Sequence, residues 1–385
     1  MRESLIVGGG PAGAAAAIAL ARAGKPACLL ERKAGAHHKV CGEYISWDAA
    51  RILEDLGLDL AALGARAVHQ VSLYSGEDQI SAHLPCPAWS LSRYRLDEAL
   101  LQLARQAGAQ VCSGVAVRRL LRTDKGWKLH VKRSTPHHTT STAGASEGDP
   151  DTLLAKTVFL ATGKHDLPRW QRPSPRGHSE DLLGLKIHLR LAPAQQQVLQ
   201  GRLEMYLFDG GYAGLEMIEE DQTTLCFLVS KHHYHACKRH WPKLLQQLCT
   251  TSSQLQQRLA GAQTLWPQPL AIYRVPFGYL HTPAAPEPGL FRLGDQAAVI
   301  ASLAGDGIAI ALHSAQLAAR IYAAGGDPSD YRLQALQSFR SPVRTAQLLT
   351  WLFSGARGRR LSFALSRLWP ALVDSAIVHT RLKNA

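Results

Sequence analysis

The chain has 385 residues, 46% of them hydrophobic and 19% charged, enough for one large core or two interleaved domains. Its 43 Lys and Arg against 30 Asp and Glu give a formal charge of +13, but the basic residues are dispersed and carry no nucleic-acid-binding signature, so nucleic acid is excluded as an expected partner; an anionic cofactor, substrate or carrier accounts for part of the positive surface. No apolar run is long enough to read as a transmembrane helix, and seven scattered cysteines without a C-x-x-C pair predict free thiols in a reducing, cytoplasmic setting.

Leu5-Ile6-Val7 predicts a buried strand that stops at Gly8-Gly9-Gly10-Pro11-Ala12-Gly13. An alanine-rich run from Ala14 to Ala23 predicts a helix, and Ala27 to Leu30 a second strand with Glu31 at its end. A G-x-G-x-x-G between strand and helix, with an acid about twenty positions on, is the fingerprint for an ADP-containing dinucleotide. Gly8 allows the tight turn, Gly10 lets the backbone approach a pyrophosphate, and Gly13 lets helix and strand pack closely. The helix N-terminus favours the phosphate charge, and Glu31 can accept hydrogen bonds from ribose hydroxyls. A signal peptide is the other reading of this N-terminus; it is rejected because cleavage would remove the fingerprint.

A polar loop follows, with Lys39-Val40-Cys41-Gly42-Glu43 in it. Trp47 to Leu56 has helical periodicity, Val68 to Tyr74 and Gln79 to Leu84 alternate as strands, and Glu98 to Gln106 predicts a helix. Ser134 to Asp151, rich in Thr, Ser, His, Gly and Pro, predicts a mobile hairpin loop. Thr157 to Gly163 is a buried strand closing on glycine. Leu185 to Leu191 alternates apolar with basic residues. With Leu203 to Phe208, Ala213 to Ile218 and Leu225 to Val229 it predicts an antiparallel sheet with one wet face. His232 to Leu248 predicts one helix, whose His232, His233, His235, Cys237 and His240 complete no known ligand spacing, so no metal is expected. Leu290 to Leu293 is a strand closing on Gly294-Asp295. Gly305-Asp306-Gly307 opens a long helix, Ile308 to Ala323, and the chain beyond Asp330 reads as helical and basic.

Four motifs in this order resemble the flavoprotein family of p-hydroxybenzoate-hydroxylase-type monooxygenases and geranylgeranyl-reductase-type enzymes. They are the glycine fingerprint, Arg93-x-x-Leu96-Asp97 before a helix, the Ala161-Thr162-Gly163 strand end, and Gly294-Asp295-Gln296-Ala297-Ala298 with Gly305-Asp306-Gly307 downstream. The resemblance implies an α/β fold: a Rossmann-like FAD-binding domain (1–75, 91–180 and 285–330) interleaved with an antiparallel β-sheet substrate domain (76–90 and 181–284), plus C-terminal helices over 331–385. It implies FAD, with Gly8, Gly10, Pro11, Ala12 and Gly13 at the pyrophosphate and Glu31 and Arg32 at the ribose. Arg93 then approaches the phosphates or ribityl chain, Val117 the adenine, and Gly163 and Asp295 the middle of the cofactor. Gly305, Asp306, Gly307 and Ile308 lie beside the isoalloxazine, where a helix dipole stabilises reduced flavin.

The Lys39-Val40-Cys41-Gly42 stretch resembles the Lys-x-Cys-Gly motif of the geranylgeranyl-reductase branch, which puts Lys39 and Cys41 near the flavin. Cys41 reads as a redox or substrate-facing thiol, or as a small buried residue beside the ring. Three departures narrow the expectation. Ala301 and Ser302 stand where relatives carry proline. The Thr162-Gly163-Lys164-His165-Asp166-Leu167-Pro168-Arg169 segment keeps only the glycine and arginine of the aromatic-hydroxylase strand end, which weakens the nicotinamide contact and leaves NAD(P)H open only as a transient reductant. The Trp-x-Trp-x-Ile-Pro signature of flavin halogenases is absent.

An FAD-dependent oxidoreductase follows from the resemblance. The first expectation is a monooxygenase acting on a hydrophobic or aromatic small molecule in secondary metabolism. The second is a reductase or dehydrogenase of carbon–carbon bonds, and the third a non-catalytic flavoprotein docking a carrier or membrane partner. His188 and Tyr212 are the catalytic candidates, on the middle sheet with Lys186 and Glu216. The C-terminal helices punctuate apolar residues with Arg340, Arg344, Arg357, Arg359, Arg360, Arg367, Arg381 and Lys383. A peripheral membrane or acidic carrier protein is therefore an expected partner, beside the reading in which these helices only finish the core.

Overall fold

The computed structural model describes residues 1–134, 151–172, 182–273, 275, 278–282, 287–369 and 371–382. Most of the segment expected to be a mobile hairpin loop lies outside the described residues, as does Lys383.

Two sheets organise the chain. In the seven-stranded sheet, Arg2–Val7 runs parallel between Cys28–Glu31 and Thr152–Leu160. Gln110–Ser113 extends the sheet beyond Cys28–Glu31, and Leu290–Arg292 joins Thr152–Leu160, both in parallel. The antiparallel meander of Val115–Thr123 and Gly126–Arg133 completes it. The inner stretches 5–7, Cys28–Glu31, 157–160 and Leu290–Arg292 are buried on both sides, which is why they read as mostly apolar runs. Helices Pro11–Arg22, Arg93–Gln106 and Gly307–Ala323 pack together beside this sheet. The fully buried alanines Ala14, Ala15, Ala16 and Ala17 let the first helix approach its neighbours closely. Ser92 caps the Arg93–Gln106 helix by accepting the Arg95 N–H, so that helix begins five residues earlier than expected.

The second sheet has nine strands. Its centre is antiparallel: Leu182–Arg190, Thr223–Ser230, Gly211–Met217 and Arg202–Phe208 are neighbours in that order. Arg202–Phe208 then pairs in parallel with Arg66–Ser75, which forms a hairpin with Asp78–Ser90. The expected domain boundary at residue 75 therefore falls inside one hairpin, both strands of which belong to this sheet. The expected wet face is also different. Leu183, Leu185, Ile187 and Leu189 enter a core with helices Trp241–Thr251 and Ser253–Arg258, while Lys186 and His188 on the opposite face are 0% and 1% exposed. Alternation marks two faces but does not say that both are covered.

The single helix expected over 232–248 is two, Lys231–Ala236 and Trp241–Thr251. Lys238 and Arg239 between them take left-handed backbone, and Pro242 starts the second helix. The histidines and Cys237 thus share no single helical face. Beyond Gly325 the chain is helical: Pro328–Ser354, Ala356–Leu368 and Ala371–His379. No single described helix is long and apolar enough to cross a membrane.

Candidate functional site

The fingerprint turn is built as its residues require. Gly8 has φ +109° and a Cβ there would sit 2.4 Å from the Ala161 carbonyl oxygen. A Cβ on Gly13 would lie 1.8 Å from the Gly8 oxygen. Gly10 differs: the only atoms near a Cβ are the guanidinium of Arg93 at 3.5 Å and the ammonium of Lys39 at 3.9 Å. Two cations converge on an open glycine at a helix N-terminus, a cradle whose donor set fits a pyrophosphate. Both cations are held by Asp97, Lys39 at 2.7 Å and Arg93 at 2.8 Å. Burial alone would push the Asp97 carboxyl up, but Arg93 and Lys39 hold it below the ordinary carboxylate value. Glu31 accepts the Gly9 N–H at 2.7 Å and the Lys33 N–H at 2.9 Å, which fixes it beside the same turn.

A cavity of about 1090 Å³ runs from this turn to the second sheet. It exceeds the roughly 300–1,000 Å³ of an ordinary ligand pocket, room for a dinucleotide and a second molecule. Of the expected cofactor contacts, Gly8, Gly10, Pro11, Ala12, Glu31 and Arg32 line it at one end. Lys39, Cys41, Arg93, Val117, Gly163 and Asp295 also line it, with Gly305, Gly307 and Ile308. Gly13 and Asp306 do not: Gly13 is packed against Gly8, and the Asp306 side chain turns away to accept the Ser46 hydroxyl at 2.6 Å and Arg381 at 3.1 Å.

The second sheet supplies another part of the wall. Leu203, Met205 and Leu228 are apolar; Tyr212, Glu216 and Cys226 are not. Burial raises all three of these: the Tyr212 phenol and the Glu216 carboxyl go up, and the Cys226 thiol is pushed up to about 12. Glu216 is 1% exposed and its Oε2 has no hydrogen-bond partner. Burial therefore biases its carboxyl toward the protonated form.

Of the two catalytic candidates, the structure puts Tyr212 on the cavity wall and His188 behind it. His188 Nε2 bonds Glu43 Oε2 at 2.7 Å, and Lys186 bonds Glu43 Oε1. Glu43, 0% exposed, also accepts the Arg93 N–H at 2.9 Å. Burial would raise its pKa, but the His188 hydrogen bond and the Lys186 charge reverse that and hold it below the ordinary value. Glu43 has φ 72°, a strained backbone that its side-chain bonds hold in place. Cys41 is two residues away and accepts the Glu43 N–H at 3.4 Å, so the thiol's place on the wall depends on this buried anchor.

Two contributors, Glu43 and Arg172, have roles the sequence does not mark, and a third, Arg381, is expected as a surface charge for a partner but is buried instead. Glu43 lay in the quoted loop, but nothing local marks its left-handed backbone. Arg172 bonds Asp166, the Lys164 carbonyl and the Asp295 carbonyl, tying the strand-end loop to Gly294-Asp295. Arg381, near the chain's end, donates to Asp306 and to the Ala304 carbonyl at 3.1 Å each and lies 4.7 Å from the Trp47 ring centre. Replacing Arg381 by alanine leaves the 0%-exposed Asp306 facing a hydroxyl alone. The expected loss is about 3–5 kcal/mol, as for one partner removed from a buried pair. Thermal unfolding checks this; an unchanged midpoint contradicts it.

A glycine cradle on a parallel sheet opens into a cavity walled by a second, largely antiparallel sheet, and the cradle's donor set fits a dinucleotide. Residues 1–143 match the family described as FAD binding domain. The chain is 24% identical over 378 residues to Protein FixC of Escherichia coli (strain K12), covering 90% of this chain and 82% of that one. It is 28% identical over 207 residues to the chloroplastic geranylgeranyl diphosphate reductase of Oryza sativa subsp. japonica, covering 53% and 43%. The flavin-dependent brominase Bmp2 shares its fold, with TM-score 0.77 at 17% identity over 98% of this chain and 93% of that one. The first 143 residues thus match an FAD-binding domain, as the glycine fingerprint led one to expect.

Proposed function

We propose that the chain is an FAD-dependent reductase that saturates a carbon–carbon double bond of an apolar small molecule held against the second sheet. Glu216 on the cavity wall, its carboxyl biased by burial toward the protonated form, carries this reading. FAD bound there, once reduced by an external two-electron donor, would supply the hydride. The other carbon needs a proton, and an apolar wall needs a side chain to deliver it. Glu216 holds that proton on a carboxyl with one oxygen unpartnered. Tyr212, its phenol also kept neutral by burial, shares the wall and orients the substrate by hydrogen bonding. Arg93 and Lys39 hold the cofactor's phosphates, and Glu43 holds Cys41 in place. The sequence likeness to geranylgeranyl diphosphate reductase supports the same reading.

Oxygen insertion into a hydrophobic or aromatic molecule is the second reading. It is supported by apolar residues at the substrate wall, Leu203, Met205, Leu228, Ile272 and Val275, since oxygen chemistry needs shielding from water. Turnover under labelled dioxygen separates the two. Product that gains two hydrogens and no label supports the reductase; labelled product overturns it in favour of the monooxygenase.

Glu216→Gln keeps the shape and removes the proton. Turnover is expected to fall about 10²–10⁴-fold with flavin content unchanged; wild-type turnover would remove Glu216 from the mechanism. The stability sign is fixed too. A carboxyl whose folded pKa is raised favours folding at low pH, and that contribution is lost as pH rises from 4.5 through the folded value. The glutamine variant is therefore expected to lose less stability than the wild type as pH rises, which denaturation across pH reads directly.

A further inference from the structure

The C-terminal helices leave unpartnered an apolar surface set among positive charges. Residues 331–385 carry nine Lys and Arg and one acid, Asp374. A seventh of the chain thus supplies eight of its thirteen net positive charges. On the Pro328–Ser354 helix, Arg340, Arg344, Leu348 and Trp351 fall on one face at helical spacing, and all four are exposed, Trp351 by 71%. On Ala356–Leu368, Arg357, Leu361 and Leu368 repeat the pattern, with Leu368 at 70%. Trp369 follows at 60%. The last helix, Ala371–His379, reads Ala-Leu-Val-Asp-Ser-Ala-Ile-Val-His and buries none of its residues. Single exposed apolar residues need no explanation; a run of them across three consecutive helices does.

We infer that this surface docks on an anionic lipid bilayer. Arg340, Arg344, Arg357 and Arg360 make no ion pair among the described residues. Free guanidinium groups beside exposed Trp and Leu are the composition that binds the headgroup layer. Arg359, Arg367 and Arg381 are used otherwise, paired with Asp209, Asp78 and Asp306. The two last helices have 13 and 9 residues and meet at 115°. Each alone is too short to span a bilayer and the bend between them precludes one straight span, so on this proposal they lie on its surface. Just past them, Arg381 bonds Asp306 and the Ala304 carbonyl, within the loop whose Gly305 and Gly307 line the cavity. The docking helices are thus tethered beside the site for an apolar substrate.

Flotation of the flavin-loaded protein with vesicles tests this. The probes are phosphatidylcholine alone and phosphatidylcholine mixed equally with phosphatidylglycerol. The protein is expected to float with the mixed vesicles at low salt, to lose them as salt screens the charges, and to stay behind with phosphatidylcholine. Arg357→Glu with Arg360→Glu should weaken binding about tenfold or more while keeping flavin content and circular dichroism. Trp351→Ala with Trp369→Ala should weaken it independently. Equal binding to both vesicles overturns the electrostatic part. No binding to either, or capture by an acidic carrier protein in place of lipid, overturns the proposal. Turnover does not enter these readouts, so failure of the reductase reading leaves them intact.

Discussion

Gly10→Val is expected to give a folded protein that purifies colourless. A Cβ at Gly10 has no backbone atom within reach and meets only the mobile ends of Arg93 and Lys39, at 3.5 and 3.9 Å. The fold therefore tolerates valine, while the isopropyl group occupies the space a pyrophosphate must enter. The lost contacts are charge-assisted hydrogen bonds at a helix N-terminus, so flavin affinity should fall by orders of magnitude. Gly13→Ala is the contrasting control. Its Cβ would lie 1.8 Å from a backbone oxygen, so that variant should fail to fold. Flavin absorbance and circular dichroism, measured together, check both. Full flavin occupancy in a folded Gly10→Val protein would place the phosphates elsewhere.

Glu43→Ala is expected to destabilise by about 3–5 kcal/mol, because it strands a buried charge without its partner. Lys186 and His188 are 0% and 1% exposed and lose the carboxylate they share. The Cys41 loop loses its anchor, so weaker flavin binding should accompany the fall in stability. The pH dependence has a definite sign. Glu43 has a folded pKa below 4.5, so its contribution is complete at neutral pH and is lost as pH falls through the folded value. Wild type and variant should therefore differ most in denaturant midpoint near neutrality and converge in acid. A constant gap across that range would mean that packing, not charge, holds the loop.

The dinucleotide end of the site was legible because its signals are local. Gly8, Gly10 and Gly13 sit within one strand–helix–strand unit at backbone positions that require glycine or leave one open, and the Glu31 carboxylate accepts the Gly9 N–H from the end of the same unit. The substrate end was legible only in part. Tyr212 and Glu216 could be placed on the middle sheet, but the depth of Lys186 and His188 could not. Period-two alternation says which residues share a face, and burial depends on what packs there. Glu43 escaped because its role comes from a left-handed backbone and partners about 140 residues away in sequence. Arg381 escaped because an arginine near a chain end ordinarily reads as a solvated charge; only the fold brings it to Asp306. The expected 232–248 helix is two because Pro242 starts a new helix and is disfavoured inside one.

The central claim is that one cavity joins an FAD cradle to a proton-donating substrate wall. A crystal structure of the flavin-loaded protein tests it most directly. The account predicts flavin density with its phosphates at Gly10, Arg93 and Lys39, and its ring in the same cavity as Gly307, Tyr212 and Glu216. Flavin outside this cavity, or a ring cut off from Glu216 by the second sheet, would contradict it.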